Sequence, residues 1–444
     1  MKHKIRIWKA IAISVIVFFF TDTSLAKNRN TLNIRKNKAD TLSSDLFQED
    51  IIPDDFSGTS SLTSTKSFLP RHHFIHKIGI EARPGHIVQS HSFLQGENEK
   101  WKPIKNSFST HLKYSFQSHP NTYTDRIFGG AYQGIGLAYY TFGEKKSLGE
   151  PIAFYLFQGA RITRLCYQLS LNYEWNFGLS AGWEPYDRNY NYYNTIIGSK
   201  VNAYINTNFY LNWMLSRRFD LTAGITLTHF SNGNTRFPNA GLNTVGIKAG
   251  LIYNINRPNR YIAKSSFRPP IPEFPRHISY DLVLFGSWRR KGVAFGEEHI
   301  ASPDAYTVLG FNFAPMYNLG YKFRAGLSLD GFYDGSANIY TDDYYSYNGP
   351  NFYKPAFNKQ IALGISGRTE FVMPYFSVNL GMGLNMLHGG GDLKAFYQIL
   401  ALKIKVTRNS FIHIGYSLQN FDTPNFLMLG IGLRFNNKYP YLYH

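Results

Sequence analysis

A chain of 444 residues ordinarily divides into two or three domains, but large β-barrels run past that guide as single units, so length alone excludes little. Aromatic residues reach 17%, with 32 Tyr, 36 Phe and 38 Gly, while charged residues are only 17%; that balance fits alternating lipid-facing strands with aromatic girdles, a soluble β-sandwich being the competing reading. The formal charge of +18 comes without a basic tract of the kind a nucleic-acid arm carries, which favours anionic lipid over nucleic acid, and the single cysteine, Cys166, excludes an internal disulfide and reads as a small barrel residue.

The chain opens with Lys2, Lys4, Arg6 and Lys9, runs apolar from Ala10 to Phe20 and reaches Ser24-Leu25-Ala26. Residues 1–26 therefore read as a secretory signal peptide cut after Ala26, the apolar run being too short for a spanning helix. Residues 27–71 are polar and poorly patterned, as expected of a flexible periplasmic leader.

From about His72 the hydrophobic period becomes two. Between Val201 and Trp213 the odd positions are Val, Ala, Ile, Thr, Phe, Leu and Trp, and the even ones are all Asn or Tyr. One face suits lipid and the other a wet lumen. In chain order, strands are expected near 74–82, 109–117, 132–142 and 161–169, then at Tyr173–Trp183, Val201–Trp213, Phe219–Ser231 and Asn243–Ile255. Eight more follow near 277–290, 304–317, 321–329, 358–372, 376–387, 396–406, 410–419 and 427–435. Joins at Ser170–Asn172, Met214–Arg218, Asn318–Gly320, Met373–Tyr375 and Thr407–Asn409 are short; those at Glu184–Gly198, Asn232–Leu242 and Gly335–Ala356 are long. Alternating short turns and long loops put both termini in the periplasm. The fold class is all-β, a transmembrane outer-membrane barrel of about 16 antiparallel strands, with two eight-stranded units as the alternative. Two connections, near 118–131 and 256–276, are long for periplasmic turns. The stretch from Tyr173 to Ser180 echoes Tyr321 to Ser328, and Phe219 to Gly224 echoes Phe376 to Gly381, as a duplication would leave them.

The segment that carries chemistry starts at the end of one strand. Leu221, Ala223, Ile225 and Leu227 share the lipid-facing side, and His229 and Ser231 continue it. A spacing of two puts imidazole and hydroxyl on one face, the residue types of a base and a nucleophile for acyl transfer. Beyond the turn formers Gly233, Pro238, Asn239 and Gly241, Asn243 heads the next strand on the outward side of Val245, Ile247, Ala249 and Leu251. Three polar groups thus converge on the outer wall, where lipid makes them costly; a plain headgroup-zone cluster beside a Gly-Asn turn is the other reading.

This segment, His229-Phe230-Ser231-Asn232 with Pro238-Asn239 and Gly241 downstream, resembles that of the outer-membrane lipid A 3-O-deacylase and acyloxyacyl hydrolase family. The resemblance covers residues 72–257, the deacylase-like half, and leaves 258–444 as a second barrel half without a matching catalytic segment, read as a diverged duplicate. It implies a serine esterase acting on lipid A of lipopolysaccharide in the outer leaflet of a Gram-negative outer membrane, with no cofactor or metal. Ser231 is then the nucleophile, His229 the base, and Asn232 a holder of the oxyanion. The family has Glu where this chain has Asn243, an amide that orients an imidazole without offsetting its charge; Glu184 or Asp187 could supply a carboxylate instead. A noncatalytic barrel, a pore or surface protein with a degenerate site, is the alternative from another class.

Three further motifs read as structural. His388-Gly389-Gly390-Gly391 is a Gly-rich loop more than an oxyanion loop, Arg71-His72-His73 with His76 a basic strand start more than a metal site, and Asp342-Asp343 among tyrosines a solvated loop more than a calcium or sugar contact.

Overall fold

The computed structural model describes residues 74–120, 122–258, 271–296, 298–342, 350–419 and 423–440. The expected signal peptide, the leader, Arg71-His72-His73 and Asp343 lie outside them. Among the described residues there are sixteen long strands, and they close as two barrels of eight, the alternative arrangement and not a single ring of sixteen. The first barrel contains β1 (Phe74–Ile87), β2 (Asn106–Ser118), β3 (Tyr132–Thr141), β4 (Gly149–Arg164), β5 (Leu169–Trp183), β6 (Val201–Met214), β7 (Phe219–Ser231) and β8 (Leu242–Asn254). The second contains β9 (His277–Arg289), β12 (Tyr306–Asn318), β13 (Phe323–Asp334), β16 (Ile361–Val372), β17 (Phe376–His388), β18 (Phe396–Lys405), β19 (Ser410–Gln419) and β20 (Thr423–Phe435). Two small hairpins, β10 (Gly292–Phe295) with β11 (Glu298–Ala301) and β14 (Tyr340–Thr341) with β15 (Phe352–Tyr353), sit in the long loops.

Closure is decided by where β8 goes. It pairs back onto β1, with Leu251 opposite Ile80 and Ala249 opposite Ala82, while β20 pairs onto β9. Periodicity fixes which face of a strand looks outward and is silent on which strand completes the ring. The connection near 256–276 therefore joins two barrels, and the one near 118–131 contains a short helix, Tyr123–Phe128, whose start is capped by Thr122 Oγ1 accepting from Asp125 N at 3.2 Å. The 161–169 strand is also corrected. β4 ends at Arg164, the turn occupies 165–168, and Ser170–Asn172 lies inside β5. Cys166 accordingly sits exposed in that turn and not on a strand. The echoing segments fall on the fifth and seventh strands of one barrel and on the third and fifth of the other, an offset of two strands.

The outer faces expose large apolar side chains, among them Ile80, Ile225, Ile247, Leu284, Leu327 and Ile431. An apolar girdle around a closed sheet is what a bilayer demands, since closure leaves no unpaired backbone facing lipid. Eight strands make a lumen just wide enough for side chains to fill, and that is what happens. The expected wet lumen is in both barrels crossed by a plug of buried charged side chains. In the first, Glu81 accepts from Arg83 at 2.5 Å, Lys248 at 2.9 Å and Lys113 at 3.1 Å, and Lys113 reaches Glu174 at 2.5 Å. Above them lies an aromatic cluster of Tyr140, Phe142, Tyr155, Trp183, Tyr204 and Phe230. Below them a cavity of about 1120 Å³ remains at the short-turn end. In the second, Lys403 joins Asp281 at 2.8 Å to Glu370 at 2.6 Å, and Arg434 binds Asp281 at 2.6 Å.

Residues 72–444 form one compact unit. At the short-turn end the Tyr173 hydroxyl lies 3.6 Å from Met373 Sδ, and the Phe116 and Tyr375 rings are 5.9 Å apart. The outward residues Tyr173, Trp175 and Phe177 of β5 and Ala203, Ile205, Thr207 and Phe209 of β6 are half-buried, whereas Ile225, Val245, Ile247 and Leu251 on β7 and β8 are exposed.

Candidate active site

The direction of Phe230 sets the site. It is fully buried in the lumen, its ring 4.9 Å from that of Trp183 and 5.0 Å from that of Tyr140. Because successive strand residues point to opposite faces, its neighbours His229 and Ser231 are turned to the outer wall. Both are half-buried there, as is Asn243. Within the ladder His229 lies opposite Ile205 on one side and Asn243 on the other, and Ser231 lies opposite Ala203.

The structure brings His229 and Asn243 together, with Nδ1 and Oδ1 2.7 Å apart. An amide oxygen can only accept, so Nδ1 carries the proton and Nε2 keeps its lone pair. No hydrogen bond joins Ser231 Oγ to any group among the described residues. Gly241 ties the pair together sterically: at φ +73°, a Cβ built there would lie 3.1 Å from His229 Cε1 and 3.6 Å from Ser231 Cβ. A side chain would crowd the imidazole and strain the backbone, so glycine is the residue that fits. Its N–H donates to Ile196 O at 3.1 Å, anchoring it to a loop whose Ile196 and Ile197 are fully buried.

Asn232 follows Ser231 in the chain, and its backbone N–H and one hydrogen of its amide are engaged. Its backbone N–H donates to Asn239 Oδ1 at 2.9 Å and its Nδ2 to Arg236 O at 2.7 Å, while Asn232 O accepts from Thr235 Oγ1 at 2.8 Å. This residue holds the loop in shape. Glu184 and Asp187 are not brought to the imidazole. Glu184 contributes its carbonyl to Asn194 Nδ2 at 2.8 Å, and the Asp187 carboxylate accepts from Asn189 N at 2.8 Å. Among the described residues no carboxylate hydrogen-bonds His229.

Sequence reasoning missed the contribution of the second barrel. Phe237 N donates to Arg290 O and Arg290 N to Thr235 O, each at 3.0 Å, and Asn234 Nδ2 donates to Asn425 O at 3.1 Å. Leu427 lies 3.4 Å from where a Gly233 side chain would begin. The loop that follows Ser231 is thus stitched to the rim formed by β9 and β20. No local pattern announces this, because each contact joins groups far apart in sequence and most of them involve the backbone. Of the other motifs, His388 accepts from Gly390 N at 3.2 Å inside a tight Gly-rich turn, His76 Nδ1 is 2.7 Å from the Tyr114 hydroxyl, and Asp342 accepts from the Tyr353 hydroxyl at 2.7 Å.

Closed antiparallel barrels with an apolar belt, short turns at one end and long loops at the other define an outer-membrane β-barrel protein, and the polar trio breaks that belt at the long-loop rim. Residues 88–251 match the family model described as lipid A 3-O-deacylase (PagL), and residues 278–437 match the model described as acyloxyacyl hydrolase, C-terminal domain. The first barrel is thus similar to the lipid A 3-O-deacylase model and the second to the acyloxyacyl hydrolase C-terminal model, and the chain resides in the Gram-negative outer membrane. Among solved structures it is similar to the Neisserial surface protein A, at 9% identity with a TM-score of 0.27, covering 41% of this chain and 98% of that one. The outer membrane enzyme PagL gives 14% identity and a TM-score of 0.26, covering 39% and 97%. The Acinetobacter baumannii protein Omp33 gives 8% and 0.14, covering 82% and 99%. A comparison with curated proteins finds no match.

Proposed function

We propose that this protein is a serine esterase that removes an ester-linked acyl chain from lipid A or a related acylated lipid of the outer leaflet. The observation that carries the reading is the His229 imidazole pinned by Asn243 through Nδ1, with its basic Nε2 free on the same lipid-facing rim as Ser231. Half-buried Leu227 and exposed Ile225, Val245 and Ile247 form the apolar wall below, against which an acyl chain lies.

In this mechanism Nε2 takes the Ser231 proton as Oγ attacks the ester carbonyl. The proton then passes to the departing sugar alkoxide, leaving an acyl-enzyme that water, deprotonated by the same nitrogen, hydrolyses. Substrate binding closes the Ser231–His229 hydrogen bond, which free enzymes commonly leave loose. Asn243 fixes the tautomer and the ring plane but adds no negative charge, so the imidazolium is stabilised less than a carboxylate would manage. The Asn232 Nδ2 keeps one hydrogen on Arg236 O, shaping the loop, and its second hydrogen donates to the oxyanion.

Mass spectrometry of lipid A from cells with and without the protein tests the reading. The expected result is loss of one acyl chain with the parent and none with Ser231→Ala at equal insertion. Equal acyl release by Ser231→Ala overturns it.

A further inference from the structure

We propose that Arg236 and Arg290, one from each barrel, form a clamp for a phosphate group on the lipid substrate, so that the second barrel completes the substrate site. This rests on the esterase reading above and names what orients the lipid there.

The two residues form an isolated parallel β-bridge across the boundary between the barrels. Residues paired in this way project their side chains to the same side. Arg236 is exposed and Arg290 half-exposed, and among the described residues neither guanidinium has an ion-pair or hydrogen-bond partner. That contrasts with the arginines of the two lumens: Arg83, Arg289, Arg324, Arg368 and Arg434 each hold a carboxylate. The contrast extends to the adjacent residue, because Lys291 is taken up by Asp392, whose carboxyl burial would raise but which this ammonium holds below its usual range. Two like charges side by side at a rim repel each other, and a bound anion relieves the repulsion. Guanidinium groups suit phosphate because they bind its oxygens in parallel pairs.

Position links the clamp to the chemistry. The Asn232 side chain grips the Arg236 peptide, Nδ2 donating to Arg236 O at 2.7 Å and Oδ1 accepting from Arg236 N at 3.4 Å. Asn232 is the residue next to Ser231. A phosphate held by Arg236 and Arg290 therefore registers the sugar headgroup against the nucleophile, while the acyl chains stay in hydrocarbon.

The test compares the parent, Arg236→Gln, Arg290→Gln and the double variant in detergent micelles, each verified as folded by its heat-dependent gel mobility. Each acts on lipid A bearing its phosphates and on the same lipid A after enzymatic dephosphorylation. The expected result is that the ratio of kcat/KM for phosphorylated over phosphate-free lipid A falls about tenfold in each single variant and further in the double, mainly through KM. An unchanged ratio, or a loss equal on both lipids, overturns the clamp. A binding arm uses Ser231→Ala with phosphorylated lipid A. Weaker binding on adding Arg290→Gln supports the clamp, and unaltered binding overturns it. Added inorganic phosphate distinguishes the sources: competition only well above the lipid concentration is expected, and competition at equal concentration overturns assignment to a lipid phosphate. If the parent hydrolyses neither lipid, the esterase reading fails and the binding arm alone decides the clamp.

Discussion

The two barrels use one architecture for different ends. Each closes eight strands around a plug of buried charge, Glu81 with Lys113, Lys248 and Arg83 in the first, Asp281 and Glu370 with Lys403, Arg324 and Arg434 in the second. Their outer walls differ. On the seventh strand of the first barrel the outward series runs Leu221, Ala223, Ile225, Leu227 and then breaks into His229 and Ser231. On the seventh strand of the second it reads Ile412, Ile414, Tyr416 and Leu418, without such a break. What a barrel needs to stand in a bilayer is therefore common to both, and the proposed chemistry lies in three residues that one barrel carries on its lipid side. The second barrel takes part through its rim, where Arg290, Asn425 and Leu427 meet the loop after Ser231.

The comparison is broken most sharply by removing the Ser231 hydroxyl. Ser231→Ala is expected to lower kcat by roughly a thousandfold or more while urea unfolding in detergent stays unchanged. Disturbing the plugs should have the opposite signature and not distinguish the barrels. Glu81→Leu and Glu370→Leu each leave buried cations without their partner, and each should cost about 3–5 kcal/mol in that unfolding measurement. A plug variant with unaltered stability in one barrel alone would show that the two lumens are not equivalent. Next, Asn243→Ala should lower kcat about tenfold to a hundredfold by freeing the imidazole, with KM little altered. Gly241→Ala should cost about tenfold in kcat/KM through crowding of His229, its effect exceeding that of an alanine at Gly320, where nothing lies within 4 Å. The smallest change is a gain: Asn243→Glu should raise kcat a few-fold, because a carboxylate beside the imidazolium offsets its charge. A fall in activity there would mean that the amide is matched to this site.

Much of this was legible from local pattern. Alternation located Phe219–Ser231 and Ser410–Gln419 to the residue, and parity alone turned His229, Ser231 and Asn243 to the outer wall. The turn at 165–168 was hidden because Leu165 and Tyr167 continue the apolar alternation through it. Ring closure was hidden for a deeper reason: pairing Leu251 with Ile80 is a decision between residues 171 positions apart, and the second barrel's eight strands offer the same pattern as the first's. The engagement of Asn232 was equally out of reach, since only the loop's path shows one of its amide hydrogens going to Arg236.

The half-buried faces of β5 and upper β6 have a consequence for traffic. A solitary cylinder in a membrane can be approached by a diffusing lipid from every bearing. Here the neighbouring cylinder stands on one flank, and the exposed surface of β7, β8 and β1 is the open shore. Lipids would reach the rim that bears His229 and Ser231 from that side, travelling in the plane of the leaflet with their headgroups upright, so that the direction of arrival is set before any contact with Ser231 is made.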